Sequence, residues 1–333
     1  MKYIYCFLGD FGATKKKRKR IYMEKKVLLS GIYGLAIGDA LGVPVESKSR
    51  DEVRKKPVRK MIGFGIHLQE KGTWSDDTAL SLATLNALSQ KPYKLENVAQ
   101  NFVRWYKNGD FAIHHKVFDI GRTTSDSIYR LELGVDPLIS GEIAEKSNGN
   151  GSLMRMLPLA FFLESEPDIM IRKQVIYEIS SLTHAHMRSK IACHIYVELA
   201  IALIHHQSIE EAYQNTREKL KNFYETKEPE ISYFQRFLSG ELLYLEEDKI
   251  RSTGYVVYSL EACVWCVLHT RNYKEAVLTA VNLGGDTDTI AALAGGLAGI
   301  LYGVRKIPRR WIRDVKGKEI LENEIAYYIM ALG

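Results

Sequence analysis

Two short segments, roughly 200 residues apart, carry more acids and hydroxyls than a folded chain needs for itself. They are Gly72-Thr73-Trp74-Ser75-Asp76-Asp77-Thr78 and Gly284-Gly285-Asp286-Thr287-Asp288-Thr289. Each is glycine-led and each runs into small and apolar residues. Acids and hydroxyls at a helix start are ordinary caps and suit the helix dipole, but a cap uses one or two such groups. Two matched segments bring four carboxylates, and neither contains an Arg or Lys to neutralise them. Unpaired carboxylates are costly to bury, so divalent cations are the simplest counter-charge. An all-oxygen donor set favours Mg²⁺ or Mn²⁺ over zinc, and four carboxylates with hydroxyls point to two ions. Adjacent Asp76 and Asp77 point about 100° apart on a helix, so one can bridge two ions while the other serves one. Glu46 ends the stretch GLAIGDALGVPVE at residues 34–46. Pro44 favours a helix exit there, which lets Glu46 face the same metals.

Helices must position these groups. Apolar residues recur at spacings of three and four over 26–41, 77–90, 95–107, 117–133, 153–164, 169–183, 187–206, 208–225, 256–269, 272–282, 288–303 and 318–331. No alternating strand pair with a hairpin signal appears. Glycines recur at helical spacing in the first of these segments (Gly31, Gly34, Gly38, Gly42) and near the end (Gly295, Gly299, Gly303). Each costs about 1 kcal/mol relative to alanine, an expense that close backbone packing at the centre of a bundle offsets. Three loops stand out: 44–74; 108–118, with Gly109, Asp110, His114 and His115; and 141–152, ending Ser147-Asn148-Gly149-Asn150-Gly151-Ser152. Loop histidines are usually plain surface residues, and magnesium prefers oxygen.

The composition is that of a soluble globular protein, with 46% hydrophobic and 26% charged residues in 333. The net charge of +6 is concentrated at the start. Residues 1–22 hold seven of the 46 Lys/Arg and one of the 40 acids, which leaves a formally neutral body and no global signal for nucleic acid. The leader reads as a disordered basic extension, or as sequence upstream of a true start at Met23. Lys15 to Arg20 could otherwise be a nuclear-localisation or polyphosphate-binding patch. Four cysteines fit a reducing, cytoplasmic setting. Cys263 and Cys266 form a C-x-x-C without a second pair, so they read as buried structural residues rather than zinc ligands. The longest apolar run, 291–304, falls short of a membrane span.

Taken together, six stretches resemble the ADP-ribosylglycohydrolase family. They are residues 34–46, 72–78, 109–124, 147–158 (SNGNGSLMRMLP), 183–192 (THAHMRSKIA) and 282–303 (NLGGDTDTIAALAGGLAGILYG), in family order. The resemblance implies an all-α, single-domain, compact orthogonal multi-helix bundle over residues 23–333 with a central two-metal cleft. Carried over by position, Ser75, Asp76, Asp77, Asp286, Asp288 and Thr289 are metal ligands. Glu46 lies beside the metals and the scissile sugar, and Asp110 faces the ribose; either acid handles the proton. Asn150, Gly151 and Ser152 match the loop that holds the diphosphate, and His184 lines the cleft. Ser75 stands where threonine is commoner, and Met187 where proline is usual. The implied activity is hydrolysis of the bond joining ADP-ribose to an acceptor, with two Mg²⁺ (or Mn²⁺) positioning the distal ribose and water. The implied partner is an ADP-ribosylated protein or small conjugate, with no membrane, and nucleic acid only as a modified substrate. Two rivals share some of these features: a di-metal nucleotide pyrophosphatase, and a non-catalytic, crystallin-like relative. The intact ligand positions speak against the second.

Overall fold

The computed structural model describes residues 15–224 and 228–332, with side chains from residue 25 onward. Fifteen α-helices make up these residues: α1 Lys15–Gly42, α2 Arg50–Lys55, α3 Asp76–Leu88, α4 Leu95–Asn108, α5 Arg122–Glu132, α6 Leu157–Leu163, α7 Ile169–Ser181, α8 Met187–Ile204, α9 Ile209–Tyr224, α10 Gln235–Leu238, α11 Val256–Leu268, α12 Tyr273–Asn282, α13 Thr287–Tyr302, α14 Arg309–Asp314 and α15 Lys318–Leu332. No strand forms among the described residues, only isolated bridges such as Gly149 with Tyr255. Each periodic segment of the sequence contains a helix, but 117–133, read as helical throughout, is helical only from Arg122 to Glu132, and 117–121 form a loop. The short α2, α10 and α14 went unread because four to six residues are too few to show a period. The first helix begins at Lys15, so it runs back through the basic stretch expected to be a disordered leader. Residues 1–14, and the side chains of Lys15 to Arg20, lie outside the described residues.

The glycine ridge sets the centre of the bundle. α1 and α13 pack backbone against backbone. A Cβ on Gly34 would sit 2.2 Å from the Gly295 carbonyl oxygen, and one on Gly38 only 1.9 Å from that of Ala291. A Cβ on Gly42 would lie 2.3 Å from the Asp288 Cα. Hydrogen bonds fasten the pair, from Thr287 Oγ1 to the Gly42 carbonyl at 2.9 Å and from Tyr273 Oη of α12 to the Gly34 carbonyl at 2.8 Å. This packing brings the C-terminus of α1 to the N-terminus of α13, where the second acidic segment lies. The stretch Lys25–Val45 is long and apolar enough to cross a membrane, contrary to the expectation that no run reaches that length. It is mostly buried within the protein, so its apolar character belongs to a core helix. Cys193, Cys263 and Cys266 are free thiols in the core.

Candidate metal centre and active site

The first acidic segment starts α3 through a borrowed cap. Ser75 is the N-cap, its hydroxyl accepting from Asp77 N–H at 3.3 Å. The first turn is held from outside by Asp39 on α1. That carboxylate accepts from Ser75 N–H at 2.9 Å and from Thr78 N–H and Oγ1 at 3.1 and 2.6 Å. Asp39 lies within the sequence stretch that ends at Glu46, yet sequence reasoning gave it no role; nothing local signals that it reaches a turn 36 residues away. Burial raises its carboxyl to about 7, against the pull of those donors.

The second segment starts α13 through a glycine turn. Gly284 and Gly285 both have positive φ, +72° and +74°, and a Cβ on Gly285 would lie 2.0 Å from the Ser252 carbonyl oxygen. The turn is stitched to the chain after α1 by Gly285 N–H to the Lys48 carbonyl at 2.7 Å and Ser47 N–H to the Gly285 carbonyl at 2.8 Å. Glu46, one residue before Ser47, is thereby held beside the second segment.

The two segments converge. Thr289 Oγ1 donates to Asp77 Oδ2 at 3.3 Å, and Ser75 Oγ donates to the same oxygen at 3.0 Å. Asp77 Oδ1 and Asp288 Oδ2 are buried with no hydrogen-bond partner. Buried acceptors are normally satisfied, so two orphaned carboxylate oxygens in one cluster are what a missing cation would leave. Burial raises the carboxyls of Asp76, Asp77, Asp286 and Asp288, and mutual repulsion adds to it. Donor atoms of Glu46, His67, Asp119 and Asp288 all lie within 4.8 Å of one another, a second observation that fits a metal.

Two members of that group were missed in the sequence. His67 comes from the 44–74 loop; its Nε2 contacts Glu46 Oε2 and lies 3.5 Å from Asp119 Oδ1. The ring packs against Phe118 at 5.4 Å. His67 thus adds an imidazole to a group otherwise made of carboxylates. Asp119 follows the loop on which Asp110 had been singled out. The structure draws Asp110 into an ion pair with Arg104, at 2.6 Å from Nη2 and 2.8 Å from Nε. It brings Asp119 to the metal group instead. Burial pushes the Asp119 carboxyl up to about 6. Asp119 has φ +66°, a loop conformation inside a stretch that its periodicity had read as helix.

The 141–152 loop reaches the centre differently from the sequence reading. The Asn150 side chain turns to the acids, donating to Asp286 Oδ2 at 2.6 Å and to Ser259 Oγ at 2.9 Å. The Ser152 hydroxyl turns into the core, accepting from Ser180 Oγ at 3.1 Å and lying 3.4 Å from Cys193 Sγ. What remains for a ligand is backbone: the N–H groups of Gly151 and Ser152 have no protein acceptor among the described residues. Gly151 leaves no room for a side chain, since a Cβ would lie 2.6 Å from Thr124 Oγ1 and 2.8 Å from His184 Cε1. His184 is thus beside the turn, buried, with Nδ1 2.8 Å from Thr183 Oγ1. His186 meets Glu145 and Glu230 in another group of donors. Arg188 pairs with both acids there, at 2.6 and 2.8 Å, so that group has its counter-charge. His114 and His115 lie in a short 3₁₀ turn between Asp110 and Asp119, both exposed.

Comparison with known proteins identifies the family. The ADP-ribosylglycohydrolase family model matches residues 23–332. The ADP-ribosylarginine hydrolase Tri1 of Pseudomonas putida (strain GB-1) is 34% identical over 85% of this chain and 72% of its own length. The ADP-ribosyl-[dinitrogen reductase] glycohydrolase of Rhodospirillum rubrum is 29% identical over 91% of this chain and 94% of its own. A solved structure described as an ADP-ribosylglycohydrolase-related protein complex superposes with a TM-score of 0.77 at 28% identity, covering 93% of this chain and 99% of that one. The chain belongs to the ADP-ribosylglycohydrolase family and is a hydrolase of ADP-ribosyl bonds.

Proposed function

We propose that this enzyme removes ADP-ribose from arginine side chains of a modified protein, using two divalent cations, Mg²⁺ or Mn²⁺. The observation that carries the metal reading is the pair of orphaned carboxylate oxygens, Asp77 Oδ1 and Asp288 Oδ2, inside an acid cluster with no lysine or arginine paired to it among the described residues. The arginine acceptor rests on the two Tri1 relatives above 30% identity, the one from P. putida and one from Serratia proteamaculans (strain 568). Ser75, Asp76, Asp77, Asp286, Asp288 and Thr289 would hold the ions, with Asp119, Glu46 and His67 closing the group on the loop side. Bound there, the ions supply Lewis acidity toward the ribose hydroxyls and a water.

The chain's own residues do the rest. Asn150 fixes Asp286, and Asp39 fixes the turn bearing Asp76 and Asp77, so the donors are preorganised. The side chains of Glu46 and His67 are each about one-fifth exposed, 19% and 17%, and so within reach of solvent. Glu46, oriented by His67, takes the proton of the water that attacks C1″ of the distal ribose. The C1″–N bond breaks, its electron pair stays on the guanidine nitrogen, and the departing guanidine gains a proton. Positive charge developing at C1″ is stabilised by the surrounding carboxylates. Gly151 and Ser152 N–H groups hold the diphosphate, as glycine turns do. Asp110, paired with Arg104, has no part in the proton transfer.

The test is release of free ADP-ribose from ADP-ribosylated arginine and serine peptides, beside hydrolysis of nucleoside triphosphates, with Mg²⁺, Mn²⁺ or chelator. Chelator-sensitive release from arginine alone is the expected result. Triphosphate cleavage without ADP-ribose release would replace this reading with a pyrophosphatase; release from serine alone would overturn the acceptor.

A further inference from the structure

Behind the glycine turn lies a buried cation with no acid bonded to it. Arg155 exposes none of its surface. Its hydrogen bonds go to neutral oxygens: Nη1 to the Gly151 carbonyl at 2.6 Å, and Nη2 to the Ile179 carbonyl at 3.2 Å and Thr183 Oγ1 at 2.7 Å. Its Cζ lies 4.6 Å from the centre of the Phe102 ring. Nε has no partner at all. Burial lowers its pKa to about 10, eased by Cys193 and Asp76, so it is still a cation at neutral pH. A buried charge without a hydrogen-bonded counter-ion is costly to keep. Packing alone would have favoured an apolar side chain of that size, so the charge calls for another explanation.

Two arms of the guanidinium lead to the same surface. The first grips the Gly151 carbonyl, which belongs to the peptide unit whose N–H is that of Ser152. A charged donor on the carbonyl polarises the N–H at the other end, and that N–H has no protein acceptor among the described residues. The second arm reaches Thr183. Arginine only donates, so Thr183 Oγ1 accepts from it and its own proton is available for His184 Nδ1. His184 is then the tautomer with hydrogen on Nε2. Its ring stays neutral, since burial and then the Arg155 charge hold its pKa at about 3. Nε2 faces the turn: a Cβ built on Gly151 would lie 3.3 Å from it, and one on Gly149 3.6 Å.

We propose that Arg155 is the positioning residue of the diphosphate site, aiming Ser152 N–H directly and His184 Nε2–H through Thr183 at the same anion, with its own charge behind them. This rests on the reading of the 150–152 turn as the place where the diphosphate binds. The guanidinium is fully buried, and it acts on the anion only through the Gly151 carbonyl and Thr183.

The experiment is calorimetric titration of ADP-ribose into the full-length protein with saturating Mg²⁺. It compares Arg155→Met, Thr183→Val, Thr183→Ser and Gly151→Val with the parent, each checked by thermal melting. Steady-state kinetics and ¹⁵N spectra of the His184 ring accompany the titration. Charge-assisted hydrogen bonds of this kind set the scale. Arg155→Met should weaken ADP-ribose binding about tenfold or more and raise KM, with kcat changed far less. Thr183→Val should weaken binding severalfold and leave His184 a mixture of tautomers, while Thr183→Ser restores both. A folded Arg155→Met that binds ADP-ribose like the parent, while Gly151→Val does not, overturns the role of Arg155 and leaves the turn in place. Unchanged binding in Gly151→Val removes the turn and the proposal together. If Arg155→Met does not fold, the Thr183 pair decides: equal binding and an unchanged His184 tautomer in both sink the relay.

Discussion

Asp288 shows how much a single carboxylate can hold in tension. It faces Asp119, Asp286, Asp77 and Glu46, and one of its oxygens is buried without a partner. Without metal, its charge opposes the fold; with metal, the same charge is a ligand. Asp288→Asn should therefore act in opposite directions on two readouts. The melting temperature in chelator should rise by a few degrees as repulsion is relieved, since about 1 kcal/mol moves it by ~1.5 °C in a chain of this size. Metal affinity and ADP-ribose release should fall, the latter by about a hundredfold or more, the scale seen when an electrostatic group of an active site is removed. A fall in both stability and activity would mean that Asp288 is structural. Asp110→Asn is the contrast. Its partner Arg104 is about half exposed, and a surface pair is worth about 0–1 kcal/mol, so turnover should stay within about threefold of the parent. A hundredfold loss there would restore Asp110 to the catalytic site.

The helices carry a different kind of constraint, because the site exists only where α1 and α13 touch. Gly38→Ala would place a methyl 1.9 Å from the Ala291 carbonyl oxygen. Neither backbone can move without moving Asp39 or Asp288. Overpacking of this sort costs about 1–3 kcal/mol, sometimes more, and here it should also weaken metal binding. Gly121→Ala, at the start of α5, meets nothing within 4 Å and should change stability by under about 1 kcal/mol in urea unfolding. Equal effects from the two would mean that the ridge is not what holds the centre. This ridge was legible in the sequence, because repeated glycine in a helix is costly and so has a readable cause. The paired acidic segments were legible for the same reason, as an excess of acids over what caps require. His67, Asp119 and Asp39 were not. His67 lies on an irregular loop, where no period says which way a side chain points, and Asp119 lies in the 117–121 stretch that was read as helix and is a loop. Asp39 sits in a helix, but its target turn is 36 residues distant. The loop residues Asn150 and Ser152 were found, while the direction of their side chains was not; only packing shows one turned to Asp286 and the other to Cys193.

For the whole molecule, the buried acids tie folding to proton and metal uptake. Asp39 is raised to about 7 and Asp119 to about 6, with Asp76, Asp77, Asp286 and Asp288 also raised, all chiefly by burial. An unfolded chain releases these protons near pH 4. Between pH 4 and 7 the metal-free folded state therefore binds more protons than the unfolded state, and its stability falls as pH rises. The fall should amount to several kcal/mol or more, because each extra proton held by the folded state costs about 1.4 kcal/mol for every pH unit crossed. It should level off once the folded groups have titrated. Divalent cations reverse the sign. They bind the deprotonated carboxylates of the folded state and add stability that grows as protons leave. Surface carboxylates titrate alike in both conditions, so the difference between melting curves in chelator and in saturating Mg²⁺ isolates the cluster. That difference should be near zero at about pH 4.5 and widen steadily to about pH 7.5, the span over which the raised carboxyls lose their protons. A gap independent of pH would mean that the cation binds groups other than these acids. A metal-free protein equally stable at the two ends of that span would mean that the cluster is already relieved of its charge by the fold itself.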